Sequence, residues 1–316
     1  MPRITLARQT KAQRRLERGH RTLDEQRIRP HTLNNRYKPA VLAFLDYLCK
    51  GPTPSSLPAL DFALAQFIEA LYEEGDHIGK AADTLSGLTH FLPLVKGHLR
   101  YSWSLFKAWR KSELPAQAPP FDDLLVSGLS GLAYRVGLPA LGASLLLAYH
   151  CLLRSGEIFS LRCSDVMISP DAASGALTLT MTKKNLRDSV RISDPLVLRF
   201  ALRRLHTSPP HALFIECTPA QARYALSLLL KFFGLEPFGF RWYSARRGGA
   251  TTDFRVHGLM ERTLIRGRWE NSRTARIYIT DGISALINLQ FTNSQRHQLN
   301  AHAAFLLQLD SRLRCE

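Results

Sequence analysis

The residues best placed to do chemistry are a tyrosine and the arginines before it, in WYSARRGGATTDFRVHGLMERTLIRGRWENSRTARIY, Trp242 to Tyr278. Tyr243 and Arg246 are three apart, which on a helix puts them on one face. Gly248 and Gly249 allow close backbone approach early in that helix, at some cost in helix stability. The next segment passes Leu259, Leu264 and Ile265 to Gly267-Arg268-Trp269, and Tyr278 stands nine residues beyond Trp269, just after Arg273 and Arg276. A nucleophilic phenol close to groups that neutralise oxyanion charge is what phosphoryl transfer needs, together with a proton for the leaving oxygen.

A second cluster lies in CLLRSGEIFSLRCSDV, Cys151 to Val166. An arginine at the edge of an apolar helix cannot stay unpaired. Glu157, three residues after Arg154, can hold its guanidinium and leave one side of the fork for a phosphate. A purely structural Arg–Glu pair is the competing reading. Beyond it, ALTLTMT (Ala176 to Thr182) alternates Leu and Met against Thr, the pattern of a half-buried strand, and Ser189–Ser193 reads as its hairpin partner. Lys183 and Lys184 stand at the end of that strand. The alternation places Lys183 on the Leu/Met face, with Lys184 as the alternative and a solvated turn lysine as the bland reading of either.

Taken together these motifs resemble the tyrosine recombinase and phage integrase family. Arg154 and Glu157, followed by Leu161 and Asp165, match its first motif, Arg-x-x-Glu then Leu-x-x-x-Asp. Arg246 matches its second catalytic arginine, Trp269 its His/Trp position and Tyr278 its nucleophile. Tyr243 departs, standing where the family usually has His, and so does Leu152, where many members have Gly. The resemblance implies that Tyr278 forms a 3′-phosphotyrosine link with DNA while Arg154 and Arg246 grip the non-bridging oxygens. It further implies that Lys183 or Lys184 protonates the departing 5′-oxygen and that Trp269 packs on Tyr278. A phenol at 243 is a poorer proton shuttle than imidazole near neutral pH. Two alternatives therefore stand beside a site-specific recombinase: a catalytically impaired DNA-binding relative and a type IB-like topoisomerase.

Composition agrees with a polyanion partner. Lys+Arg number 42 against 26 acids, a net charge of +16, while 45% hydrophobic and 22% charged residues are ordinary for a globular chain. Double-stranded DNA is the expected partner, with a homotetramer on two sites implied by the resemblance. The five cysteines form no CxxC pair, the histidines no metal-ligand pair, and no Gly-rich phosphate loop or magnesium-binding carboxylate cluster occurs. No metal or other cofactor is expected, which weighs against a two-metal nuclease. The first residues are Arg-rich without an apolar core, and Leu138–Leu153 is too short to span a bilayer, so an intracellular protein at the nucleus or nucleoid is expected, with no membrane partner.

The expected fold is mainly α with a small antiparallel β-sheet: a helical core-binding domain followed by a catalytic domain. Residues 1–31 read as a basic arm, disordered or half-helical when free, with Lys11, Arg14, Arg15 and Arg18 at helical spacing for phosphate contacts. Residues 32–114 read as four helices. The first is capped by Thr32 with Leu45 on its apolar stripe, and the second begins after Asp61 and buries Phe62. Arg110 lies on the fourth helix and, with Lys184, joins the candidate DNA contacts. A Pro-rich linker at 115–120 precedes the catalytic domain, 121–291, and a C-terminal helix, 292–316, is left to dock on a neighbouring protomer or on its own domain.

Overall fold

The computed structural model describes residues 10–18, 22–113, 117–179 and 188–313. The chain divides into two compact units, with the change falling between Ala116 and Gln117. It is mainly helical, with one three-stranded antiparallel sheet. Among the described residues no helix is long and apolar enough to cross a membrane.

In the first unit, Lys11–Arg18 forms helix α1. Four longer helices follow: α2 (Lys38–Leu48), α3 (Leu57–Glu73), α4 (Gly79–Phe91) and α5 (Arg100–Ser112). They enclose a core that includes Phe44, Leu64, Ile68, Leu85 and Trp109. Thr32 is not the expected cap. Its backbone is already helical, in a turn that starts at Pro30 and passes through a π-helical stretch, Leu33–Tyr37, into α2. Nor does α3 wait for Asp61. Ser56 caps it by accepting from the Ala59 amide, and Pro58 fits in the first turn because its missing N–H has no helical partner there.

Asp61 serves a different helix. Buried, it accepts from the amides of Tyr101 (2.8 Å) and Ser102 (3.0 Å) and from the Ser102 hydroxyl (2.6 Å), closing the N-terminus of α5. Leu45 and Phe62, expected inside, are exposed, and Phe62 stacks on Tyr101 with ring centroids 6.3 Å apart.

In the second unit, α6 (Asp123–Arg135) is capped by Asp122 and packs on α7 (Pro139–His150), ten of whose twelve residues are buried. The short α8 (Ser155–Ser160) leads to the sheet: β1 (Val166–Ile168), β2 (Gly175–Leu179) and β3 (Asp188–Ile192), paired in that order. In the β2–β3 hairpin Leu177 pairs with Val190 and Leu179 with Asp188. Helices α9 (Pro195–His206) and α10 (Pro219–Phe232) follow, the latter opened by the expected Thr218 cap.

Helix α11 (Trp242–His257) runs through the middle of this unit, with its first turn anchored where the Trp242 indole donates to the Ala222 carbonyl at 2.9 Å. Gly248 and Gly249 allow it that position. A Cβ on either would sit 2.0 Å from a carbonyl oxygen, of Phe121 or Tyr149 respectively. Then come α12 (Met260–Gly267), α13 (Ser272–Arg276), α14 (Asp281–Gln290) and α15 (Asn293–Leu313). Helix α15 lies along α6 in its own unit, burying Leu299 and Leu306, and an Arg199–Asp310 ion pair ties it to α9.

Candidate functional site

Arg246, on the second turn of α11, is fully buried. Its Nη1 donates to the Leu152 carbonyl and its Nη2 to the Gly267 carbonyl at 2.6 Å, while Nε has no acceptor among the described residues. The guanidinium carbon lies 4.5 Å from the Trp269 ring centroid and 5.3 Å from that of Tyr278. Burial, together with the nearby charges of Arg154 and Arg268, lowers its pKa to about 10, which still leaves it a cation at neutral pH.

Two left-handed residues shape the floor beneath it. Leu152 (φ 50°), where α7 ends, turns its carbonyl toward the arginines, and Arg268 (φ 57°) ends α12. Non-glycine residues pay a steric penalty there, a form of backbone strain that clusters at functional sites. Arg268 Nη2 donates to the Leu152 carbonyl at 3.1 Å and to Glu157 Oε2 at 2.7 Å. Arg154, just before α8, donates Nη1 to Glu157 Oε1 at 2.6 Å and its amide to Oε2 at 2.8 Å. Glu157 is thus a buried carboxylate between two arginines. Gly267 is needed at its position because a Cβ there would lie 1.8 Å from the Trp269 ring.

Tyr278 completes the cluster, its ring 4.7 Å from Trp269 and 5.6 Å from Tyr243, centroid to centroid. Its backbone is fastened to α11 through Thr251, whose hydroxyl donates to the Tyr278 carbonyl (3.2 Å) and accepts from the Thr280 amide (3.1 Å). Burial alone raises the Tyr278 pKa. A hydrogen bond from the Tyr243 hydroxyl, the Arg246 charge, the Trp269 indole and Arg154 outweigh it, so the phenol sits below its ordinary value. Tyr243 moves the other way, raised by burial and by its hydrogen bond to Tyr278. The Trp269 Nε1–H is buried and close enough to act on Tyr278, yet forms no hydrogen bond of ordinary geometry.

The structure therefore brings Arg154, Glu157, Tyr243, Arg246, Trp269 and Tyr278 together. Lys183 and Lys184 lie outside the described residues, although Asp188, at the start of β3, has Oδ2 3.7 Å from Arg268 Nε. Lys11, Arg14 and Arg15 stand exposed on α1, which also carries Arg18, and Arg110 is exposed on α5, all in the first unit.

Sequence reasoning missed three contributors. Arg247, buried, donates to Gln117 at 2.6 Å, and the neighbouring Tyr243 and Tyr278 act on its charge. Thr251 fastens Tyr278, and Arg268 braces Glu157. The doubled arginine at 246–247 was a visible signal, whereas nothing in the local pattern marked Thr251. Among the described residues no group of His, Cys, Asp or Glu has the geometry to hold a metal ion.

The fold is shared with solved DNA-bound recombinases. A lambda integrase dimer bound to a COC′ core site matches with a TM-score of 0.58 over 81% of this chain and 73% of that one, at 15% identity. The integrase of transposon Tn1549 (residues 82–397), in complex with circular intermediate DNA, gives 0.58 over 88% and 97% at 13% identity. The XerH site-specific recombinase in a post-cleavage complex with palindromic difH gives 0.57 over 77% and 75% at 14%. Lambda integrase as a tetramer bound to a Holliday junction gives 0.57 over 80% and 73% at 15%. No protein-family model and no curated protein matches the sequence.

Proposed function

We propose that this protein is a site-specific DNA recombinase of the tyrosine type. One observation carries the reading: three guanidiniums, those of Arg154, Arg246 and Arg268, meet around Tyr278 with a single buried carboxylate, Glu157, between them. A surplus of positive charge withdrawn from water is costly unless an anion completes it. Buried N–H groups of Arg246 and Trp269 without acceptors point to the same kind of ligand. A DNA phosphodiester has the required charge, and planar guanidiniums suit its oxygens.

In the proposed reaction the Tyr278 oxygen attacks phosphorus, a 3′-phosphotyrosyl bond forms, and the bond to the 5′-oxygen breaks. Arg154 and Arg246 neutralise the non-bridging oxygens as charge builds on them. Lys183, or else Lys184, gives the proton that leaves with the 5′-hydroxyl. Tyr243 holds the Tyr278 oxygen by hydrogen bond and has no role as a proton shuttle. The phosphotyrosyl bond conserves the energy of the cut, so rejoining to another strand needs neither metal nor nucleotide. Exposed cations of α1 and α5 supply backbone contacts to duplex DNA. The tetramer of lambda integrase on a Holliday junction makes a homotetramer on two sites the assembly of choice.

Incubation with nicked duplexes taken from the DNA flanking the gene tests this. A denaturation-resistant protein–DNA complex that is lost in Tyr278→Phe is the expected result. Salt-sensitive DNA binding with no such complex in the parent would make the protein a DNA-binding relative, with Tyr243 the first suspect. Steady relaxation of supercoils without pairing of two sites would make it a topoisomerase.

A further inference from the structure

Arg268 is held in a backbone conformation that costs an arginine and would cost a glycine nothing. Its side chain is only 7% exposed and is gripped on every side. Nη1 donates to the Cys151 carbonyl (3.2 Å) and, more weakly, to that of Arg266 (3.5 Å), while Nη2 donates to Leu152 and to Glu157 Oε2. The carboxylate of Asp188 stands 3.7 Å from Nε. One side chain therefore joins the end of α7, the first turn of α8 and the start of β3.

Its effect on Arg154 follows from counting oxygens. A carboxylate facing a lone guanidinium accepts both prongs of the fork, one on each oxygen. Here Oε2 is taken by Arg268 Nη2 and by the Arg154 amide, so only Oε1 is left for the Arg154 guanidinium, which reaches it through Nη1 alone. The remaining N–H groups of Arg154 make no other hydrogen bond among the described residues, and its side chain is 31% exposed. We propose that Arg268 is a positioning residue: by occupying Glu157 Oε2 it limits Arg154 to a one-point contact and keeps the rest of that fork turned to the phosphate. The proposal rests on the recombinase reading for its substrate and on the geometry above for the role of Arg268.

Arg268→Gly removes the brace and suits the backbone, Arg268→Lys keeps the charge without the fork, and each is combined with Arg154→Ala. Rates of covalent-complex formation at saturating nicked duplex are corrected for the folded fraction found by thermal melts. Both single Arg268 variants are expected to lose about 10- to 100-fold in rate, with the half-saturating DNA concentration nearly unchanged, as for a misaligned catalytic group. In the Arg154→Ala background the same substitutions are expected to cost almost nothing more. Multiplicative losses, or full rescue by lysine, would overturn the proposal by showing a general structural or charge effect. A parent chain that binds duplex DNA without forming a covalent complex fails the recombinase reading alone. The same cycle, measured as duplex affinity at fixed salt, then decides Arg268, with additive effects refuting it.

Discussion

In the first unit the cations of α5, Arg100, Lys107, Arg110 and Lys111, all stand in solvent, and the buried ionisable group among the described residues is Asp61, fully engaged with the start of that helix. The second unit takes Arg204, Arg246, Arg247 and Arg268 largely out of water. Burial alone does not separate a structural cation from a working one. Arg204 gives Nε and Nη2 to the carbonyls of Phe214 and Leu213 and faces Glu216 as well, whereas Arg246 keeps an unpartnered Nε beside Tyr278. The comparison teaches that exposed cations contribute a field and an affinity that salt can weaken, while buried, incompletely partnered ones fix a geometry.

The sharpest way to break this contrast is Arg246→Ala. Covalent-complex formation at saturating DNA should fall about 100- to 1,000-fold, the range for removing one preorganised donor to a developing oxyanion. Stopped single-turnover reactions check it, and a loss no larger than that from an α5 lysine would sink the distinction. Asp61→Ala is the counterpart in the first unit: leaving two amides and a hydroxyl without their acceptor should cost about 2 kcal/mol, read by denaturant melts, with early amide exchange in the first turn of α5.

A smaller effect belongs to His150. Its Nε2 accepts from the amides of Ser193 (3.1 Å) and Asp194 (3.2 Å) and from Arg266 Nη2 (2.7 Å), which a protonated ring cannot do. Burial and the Arg266 charge push its pKa down to about 4 from the ordinary 6.5, against the opposing pull of Asp194 and Asp253. The folded-state value lies below the unfolded one, so this stability is fully present above pH 6.5 and is lost as pH falls toward 4. Thermal melts should show a loss of about 1 kcal/mol midway through that window, and His150→Gln should flatten it. The smallest change comes from Lys107→Ala with Arg110→Ala. Each phosphate contact removed should lower the salt slope of DNA binding by about one, without altering the cleavage rate at saturation.

Much of this was legible beforehand where periodicity or a cap carried it. The Thr218-Pro219 start, the alternating Leu177 and Leu179, and the spacing from Arg246 to Tyr278 each rest on local rules, and each is in place in the fold. What escaped reading was what the fold supplies from a distance. Asp61 looked like a helix start because capping residues are read forward along the chain, yet it caps a helix forty residues on. The three residues of β1 are too few to show alternation. Phe62 and Leu45 are apolar at helical spacing but fall on the solvent side of their helices, since an apolar side chain carries no label for which face will be covered. In the candidate site the arginines and tyrosines were found by type and spacing. Arg268 was passed over because its partners, Cys151, Leu152 and Glu157, lie more than a hundred residues earlier.

Thr251 bears on what happens after a cut. Its hydroxyl holds the chain on both sides of Tyr278, at the Tyr278 carbonyl and the Thr280 amide, so the tyrosine backbone is moored to α11 and only side-chain torsions are left to move its oxygen. A DNA end joined to that oxygen stays on a short leash. The hydroxyl that returns to attack it meets the phosphotyrosyl group as an intramolecular partner, at an effective concentration no free DNA end reaches in solution. Resealing is thereby favoured over escape, and the broken strand is never released.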